Sequence, residues 1–290
     1  RVRLAIDAVR TLAQKPRTVV SASRDTMRAL MRARSAPRAK SPTLAVPRTP
    51  WSGALSPARS VGFADVALHD VRSIATTFDT SVNDVVLAAS AVALGRWLVA
   101  HDACPAGALI ANVPIAVGGD DAGGNHVSML RVPLDLNEHD PVALLRGIHA
   151  MTTREKRAHH ARGANPYRRL ADLVLALTVP RLLASVVGFY ARHRGGDLHP
   201  ALWNVVISNV PGPREPRYCA GARLSCIYPF GPVQHGSGLN LTVMSTADRL
   251  GLGVLACRDR VEDPDTIARG FVEAIAALRE AANASVTRAR

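Results

Sequence analysis

The order of elements along this chain predicts a mixed α/β lobe, in which one mixed sheet is flanked by helices. Three observations carry that expectation. Helix-period and strand-period segments are interspersed without the strict alternation that a parallel βαβ sheet requires. The last third of the chain is dominated by short strand-like runs separated by Pro, Gly and Asp turns. From Val85 to Gly95 no side chain is charged, the mark of a helix buried on all sides at the centre of a lobe. An apolar share of 48% over 290 residues is enough to build such a core.

Taken in order, residues 1–40 read as a basic, amphipathic helical arm. Val2, Ala5, Ile6, Val9, Leu12 and Ala13 fall at helical spacing, Pro16 stops the first helix, and Val20, Met27, Leu30 and Met31 form a weaker second stripe beside Arg24, Arg28, Arg32 and Arg34. Such helices lie on a lipid surface or pack on an upstream domain. Residues 41–60 read as a Pro-rich linker, since Pro42, Pro47, Pro50 and Pro57 exclude regular structure. The lobe itself is expected over 61–285. It opens with a strand at Val61–Leu68 and a short helix from Asp70 to Phe78.

Thr80 and Ser81 are expected to cap a helix over Val82–Ala100, with Asp84 in its first turn, where a carboxylate meets the positive end of the helix dipole. The uncharged run Val85–Gly95 is too short to cross a bilayer, which needs about 20 residues. Strands are expected at Ala108–Val117 and Val127–Leu134, then a helix from Pro141 into 154–162. Leu170–Tyr190, broken by Asp172, Pro180 and Arg181, reads as two further helices. Strand-like runs follow at Trp203–Val210, Ala222–Tyr228, Leu239–Ser245 and Leu250–Cys257. Asp263 as N-cap and Pro264 at the first position open a last helix, with Ile267, Phe271, Ile275 and Leu278 inward.

Composition narrows the function classes. Of the net charge of +13, a surplus of nine sits in residues 1–40, so a basic arm is attached to a nearly balanced body. With five Phe, four Tyr and three Trp, base stacking is poorly supplied, and no nucleic-acid partner is expected. The arm suits an anionic membrane or the phosphates of an acyl carrier. Cys104, Cys219, Cys226 and Cys257 are too few and too irregular for a disulfide framework or a zinc site, and they read as reduced, buried thiols. The start at Arg1 shows no charged-then-apolar leader, so no signal peptide is expected.

Nucleophile, phosphate-loop and metal templates are absent. His159-His160-Ala161-Arg162-Gly163-Ala164-Asn165 has paired histidines, but Ala164 and Asn165 stand where an acyltransfer motif requires Asp and Gly, so the string reads as the solvated end of a helix. His126, His149 and His235 are isolated and read as satisfied structural residues. Asn209 with Pro211-Gly212-Pro213 reads as a strand ending in a rigid turn, in which Gly212 can take a positive φ. Asn240 interrupts an apolar strand, so an inward-facing amide there must be hydrogen-bonded, most simply to the backbone of a neighbouring segment.

Five strings, in order, resemble the bacterial wax ester synthase/diacylglycerol acyltransferase family. Pro47-Arg48-Thr49-Pro50-Trp51-Ser52-Gly53 is similar to its Arg-Thr-Pro-Phe-Asn-Gly element, and Ser81–Ala88 to its Asn-Asp motif, carried here by Asn83 and Asp84. Gly124-Asn125-His126-Val127-Ser128 resembles its Gly-Asn-Arg-Val-Ser strand entry, with His126 in place of Arg. Ser208–Pro213, and then Tyr228–Val233 with Gly238–Val243, are similar to its C-terminal strings.

The resemblance implies the C-terminal lobe of a two-lobed, chloramphenicol-acetyltransferase-like fold with an active-site tunnel between the lobes. In that family the second His of His-His-x-x-x-Asp-Gly, on the first lobe, is the general base. This chain has no such motif, so no catalytic residue and no activity are expected of it alone. By the same resemblance the partners are acyl-CoA, a diacylglycerol or fatty alcohol, and the first lobe; no cofactor is needed, acyl-CoA being a substrate. Asn83, Asp84, Asn209, Gly212 and Asn240 are the candidate substrate-binding or motif residues. A cytoplasmic place peripheral to the inner membrane or lipid bodies follows from the arm. The competing reading is a non-catalytic lipid- or membrane-binding lobe that pairs with a separate catalytic one.

Overall fold

Six strands form the main sheet of the computed structural model, which describes residues 46–116, 127–162, 188–190, 192–197 and 201–289. Residues Leu44–Lys156 and Arg194–Arg290 make one compact unit, and the elements below belong to it apart from residues 157–162 of α3. The expected arm over 1–40 and most of the expected helices over 170–190 lie outside the described residues.

In chain order the elements are β1 (Arg59–Ala67), α1 (Leu68–Thr77), α2 (Val82–Ala100), β2 (Leu109–Ala116), β3 (Val127–Leu134), α3 (Pro141–Arg162), β4 (Val205–Val210), β5 (Tyr218–Cys219), β6 (Ala222–Arg223), β7 (Leu239–Thr246), β8 (Arg249–Cys257) and α4 (Pro264–Ala289). The sheet order is β1-β8-β7-β4-β2-β3. It is mixed as expected, because β4 runs parallel to both β2 and β7 while the other pairings are antiparallel.

One face of the sheet carries the core. Leu239, Leu241 and Val243 of β7 and Leu250, Leu252, Val254 and Ala256 of β8 are buried, with Ile267, Phe271, Ile275 and Leu278 of α4 inward as expected. Burying each such side chain stabilises by about 1.5–3 kcal/mol. Helix α2 packs on α4 and touches α1, β3 and β4. Although long and apolar enough to pass for a membrane span, it is largely buried here and serves as the core helix. Asp263 caps α4, accepting from Asp265 N–H at 3.2 Å and from the Thr266 hydroxyl at 2.6 Å. Small residues at the edge let α4 begin close to β1. Gly62 lies under the backbone of Pro264 and Asp265, and Ser60 donates to the Val261 carbonyl at 2.6 Å.

On the other face, among the described residues, β8 and β7 are covered by an extended segment, which corrects one expectation. Ala222–Tyr228 is not a strand of the sheet. Only Ala222 and Arg223 pair, in a small hairpin with Tyr218 and Cys219. The chain then runs as an extended strap across β8 and β7. A Cβ on Gly251 would overlap the Ile227 carbonyl, one on Gly253 the Pro229 carbonyl, and one on Gly231 would press on the Asn240 amide. Backbone lying directly on a strand leaves no room for side chains, and Pro229 and Pro232 have no N–H to offer a ladder. Phe63, opposite Gly253 in the register, instead stacks on Tyr228 at 4.9 Å between ring centres.

The cysteines are all unpaired, but only Cys257 is buried; Cys104 and Cys219 are exposed, against expectation, because Cys104 lies in the connection between α2 and β2 and Cys219 in the exposed β5–β6 hairpin.

Candidate functional site

The first turn of α2 is built around one carboxylate. Ser81 and Asp84 form a reciprocal capping box: the Ser81 hydroxyl oxygen accepts from Asp84 N–H at 3.2 Å, and Asp84 Oδ2 accepts from Ser81 N–H at 3.0 Å. Two more donors arrive from α3. Its apolar stripe Leu144, Leu145 and Ile148 is buried, and this turns His149 and Thr152, three residues apart, towards α2. His149 Nδ1 lies 2.8 Å from Asp84 Oδ2, and the Thr152 hydroxyl donates to Oδ1 at 2.7 Å. The Asp84 side chain is only 1% exposed, while that of His149 is 40% exposed.

Burial alone would raise the pKa of Asp84. The hydrogen bonds from His149, Thr152 and Ser81 outweigh it, and the carboxyl is held below its ordinary value. Because the carboxylate accepts, the proton of the His149–Asp84 contact sits on Nδ1. The rest of the ring is partly exposed beyond this contact. The expectation that His149 is isolated is therefore corrected. No spacing in the sequence links it to Asp84, since 65 residues separate them and only the packing of α3 on α2 brings them together. Thr80, the other expected cap, makes no hydrogen bond through its buried hydroxyl; Ser81 alone caps. Asn83 is half-buried beside the box.

The remaining candidates stand apart from this cluster. Asn240 faces the strap: its Nδ2 donates to the Pro232 carbonyl at 3.2 Å and its Oδ1 accepts from the Thr242 hydroxyl at 2.7 Å, as an inward amide must. Asn209 pairs in register with Val243, and so belongs to the opposite, helix-covered face of the sheet. Gly212 does not take a positive φ. It is required for a different reason: a Cβ there would overlap the Ser245 carbonyl, and its N–H donates to the Ser245 hydroxyl at 3.1 Å.

One organising residue has no sequence signal at all. Asn204 is fully buried; its Oδ1 accepts from Ile110 N–H at 2.8 Å and its Nδ2 donates to the Pro47 carbonyl at 2.7 Å. Its own carbonyl accepts from the Trp51 indole at 2.9 Å and the Ser237 hydroxyl at 2.8 Å. The expected linker is thus fastened to the sheet by Trp51, which also packs on Trp97 with ring centres 5.6 Å apart. Among the described residues no group of three His, Cys, Asp or Glu side chains could hold a metal ion. Helix α3 reaches Arg162, so His159 and His160 stand on helical backbone.

Residues 123–279 match the family model described as the WS/DGAT C-terminal domain, and residues 1–86 match that of the wax ester synthase/diacylglycerol acyltransferase catalytic domain. A Mycobacterium tuberculosis protein bearing a diacylglycerol O-acyltransferase name is 32% identical over 96% of this chain and 55% of its own length. The O-acyltransferase WSD of Acinetobacter baylyi is 33% identical over 66% of this chain and 40% of its own. The chain thus spans about half the length of the curated relatives it matches. Among solved structures, the wax ester synthase/diacylglycerol acyltransferase of Marinobacter aquaeolei VT8 superimposes with a TM-score of 0.63 at 25% identity, covering 92% of this chain and 58% of that one. The X-domain from teicoplanin biosynthesis, at 12% identity and a TM-score of 0.54 over 89% of this chain and 58% of its own, shares the fold.

Proposed function

Because the chain belongs to the wax ester synthase/diacylglycerol acyltransferase family, we propose that it is the C-terminal part of an O-acyltransferase that moves a fatty acyl group from acyl-CoA to diacylglycerol or a long-chain alcohol. What supports this reading is the likeness, over nearly the whole chain, to bacterial proteins named for O-acyl transfer. In the reaction the acceptor hydroxyl oxygen bonds to the thioester carbonyl carbon, the C–S bond breaks, and the hydroxyl proton passes through a base to the departing coenzyme A thiolate. The base is the second histidine of His-His-x-x-x-Asp-Gly on an N-terminal lobe, a motif that this chain does not carry.

The lobe formed by this chain shapes the acyl tunnel and helps hold coenzyme A. Asn83, Asp84, Asn209 and Gly212 are positioning residues at that wall. The arm over 1–40 holds the protein on an anionic membrane or lipid-body surface, which places the enzyme in the cytoplasm, peripheral to the inner membrane or lipid bodies.

The test is an acyl-CoA:diacylglycerol and acyl-CoA:alcohol transfer assay on this chain and on a longer protein that includes the histidine motif. Product from the longer protein alone is expected. Neutral-lipid formation by neither, with both folded, sinks the reading; formation by the 290-residue chain would put the base within it.

A further inference from the structure

Residues 46–49, Ser52 and Gly53 line a cavity of about 200 Å3 together with Gly196, Asp197, Ala201, Gly236 and Arg260. That is far more than the roughly 10–15 Å3 one water needs. Its walls are fixed by backbone. Gly53 has φ +95° and Gly236 φ +92°, and Gly236 N–H donates to the Gly53 carbonyl at 2.7 Å. A Cβ on Gly196 would sit 2.9 Å from that of His235.

The charge around this cavity is unbalanced. Asp197 is occupied in bracing the wall: Oδ1 accepts from Ala54 N–H at 2.8 Å and Oδ2 from Arg194 Nε at 2.7 Å. Its carboxyl is held below the ordinary value by the Ala54 N–H and Arg194. Arg260 is half-buried and donates only to the Ala54 carbonyl, at 3.3 Å, while Arg48 is exposed. Neither forms an ion pair with a carboxylate among the described residues. Arg48 and Arg260 thus share one recess with a single carboxylate, Asp197, which already serves Ala54 N–H and Arg194, and with the hydroxyls of Thr49 and Ser52, themselves 3.0 Å apart.

We infer that this recess is a binding site for a phosphate group, held by Arg48 and Arg260 with whichever of the paired Thr49 and Ser52 hydroxyls keeps its proton free as a further donor. Planar guanidinium forks and hydroxyls match tetrahedral oxyanions, and with the one carboxylate already bonded to Ala54 N–H and Arg194 the recess keeps a positive surplus that a bound anion would offset. The site does not depend on the acyl-transfer reading, because inorganic phosphate alone probes it. The phosphate could belong to a nucleotide or to a lipid headgroup.

The full chain is titrated with inorganic phosphate at fixed ionic strength and followed by phosphorus NMR line broadening and calorimetry, then with adenosine bisphosphate and with glycerol phosphate. Saturable phosphate binding is expected, weakened about tenfold or more in Arg48→Gln and Arg260→Gln. Arg48→Lys, which keeps the charge but loses the fork, should fall between. Asp197→Asn, which removes the one negative charge while its amide oxygen can still accept from Ala54, should tighten binding. Preference for adenosine bisphosphate assigns the site to a nucleotide, preference for glycerol phosphate to a headgroup, and equal affinity to the phosphate group alone. The inference is overturned by non-saturable binding, or by wild-type affinity in Arg48→Gln, an exposed substitution that leaves the fold intact.

Discussion

His149 Nδ1 stands 2.8 Å from Asp84 Oδ2, and this contact ties α3 to the first turn of the core helix α2. Asp84 accepts there from four donors, the Ser81 backbone and hydroxyl, the Thr152 hydroxyl and the His149 ring. A carboxylate that only complemented the helix dipole would be worth about 0.3–1 kcal/mol. A buried one that satisfies donors from two helices is worth more.

Asp84→Ala should therefore cost on the order of 3 kcal/mol, since hydrogen bonds to a charged acceptor are lost and buried donors are left unpaired. That corresponds to a fall in melting temperature of roughly 6–12 °C for a domain of this size. His149→Ala, at a half-exposed site, should cost about 1 kcal/mol. In a double-mutant cycle the pair should couple by about 0.5–3 kcal/mol. Strict additivity would mean that the contact carries no stability. Asp84→Asn is not a mild substitute, because its NH2 must face one of the donors.

The same carboxylate sets an acid limit on stability. Its folded pKa is held below the unfolded value of about 3.9, so the stability it contributes is complete above that pH and is lost as pH falls through the folded value. Urea midpoints of the wild type should drop between pH 4 and pH 2 by more than those of Asp84→Asn. Parallel curves for the two proteins would assign acid sensitivity to other carboxylates.

Substitution of the strap glycines should separate close approach from mere flexibility. Gly253→Ala places a methyl group into the Pro229 carbonyl and should destabilise by about 1–3 kcal/mol or more through overpacking. Gly107→Ala, with open space around its Cβ position, should leave the melting temperature nearly unchanged. If limited proteolysis near Tyr228 does not increase in Gly253→Ala, the strap is not what the glycine accommodates.

The arm is tested by vesicle sedimentation. Residues 1–34 should give salt-sensitive affinity for anionic vesicles, each basic residue near the surface adding about 1 kcal/mol, and their deletion should weaken it. Equal binding by the full and truncated chains would rule out a membrane role for the arm.

Local chemistry was enough to determine a large part of this protein. The bounds of α2 at Val82 and Ala100, of β3 at Val127 and Leu134, and the cap of α4 at Asp263 follow from short-range patterns of charge, apolarity and capping that act within a turn or two. The burial of α2 follows from its lack of any polar face, and the hydrogen-bonded state of Asn240 from the cost of burying a bare amide. What only the tertiary structure decided are relations between segments far apart in the chain. Ala222–Tyr228 reads as a strand until glycines on β8 reveal the backbone lying across them. Gly212 answers to the Ser245 carbonyl rather than to a turn. Asn204 gathers Ile110, Pro47, Trp51 and Ser237 with no motif of its own, and His149 acquires its partner 65 residues away. Hydrogen bonds and close approaches depend on distances of tenths of an ångström, which packing sets and which residue spacing along one chain does not encode.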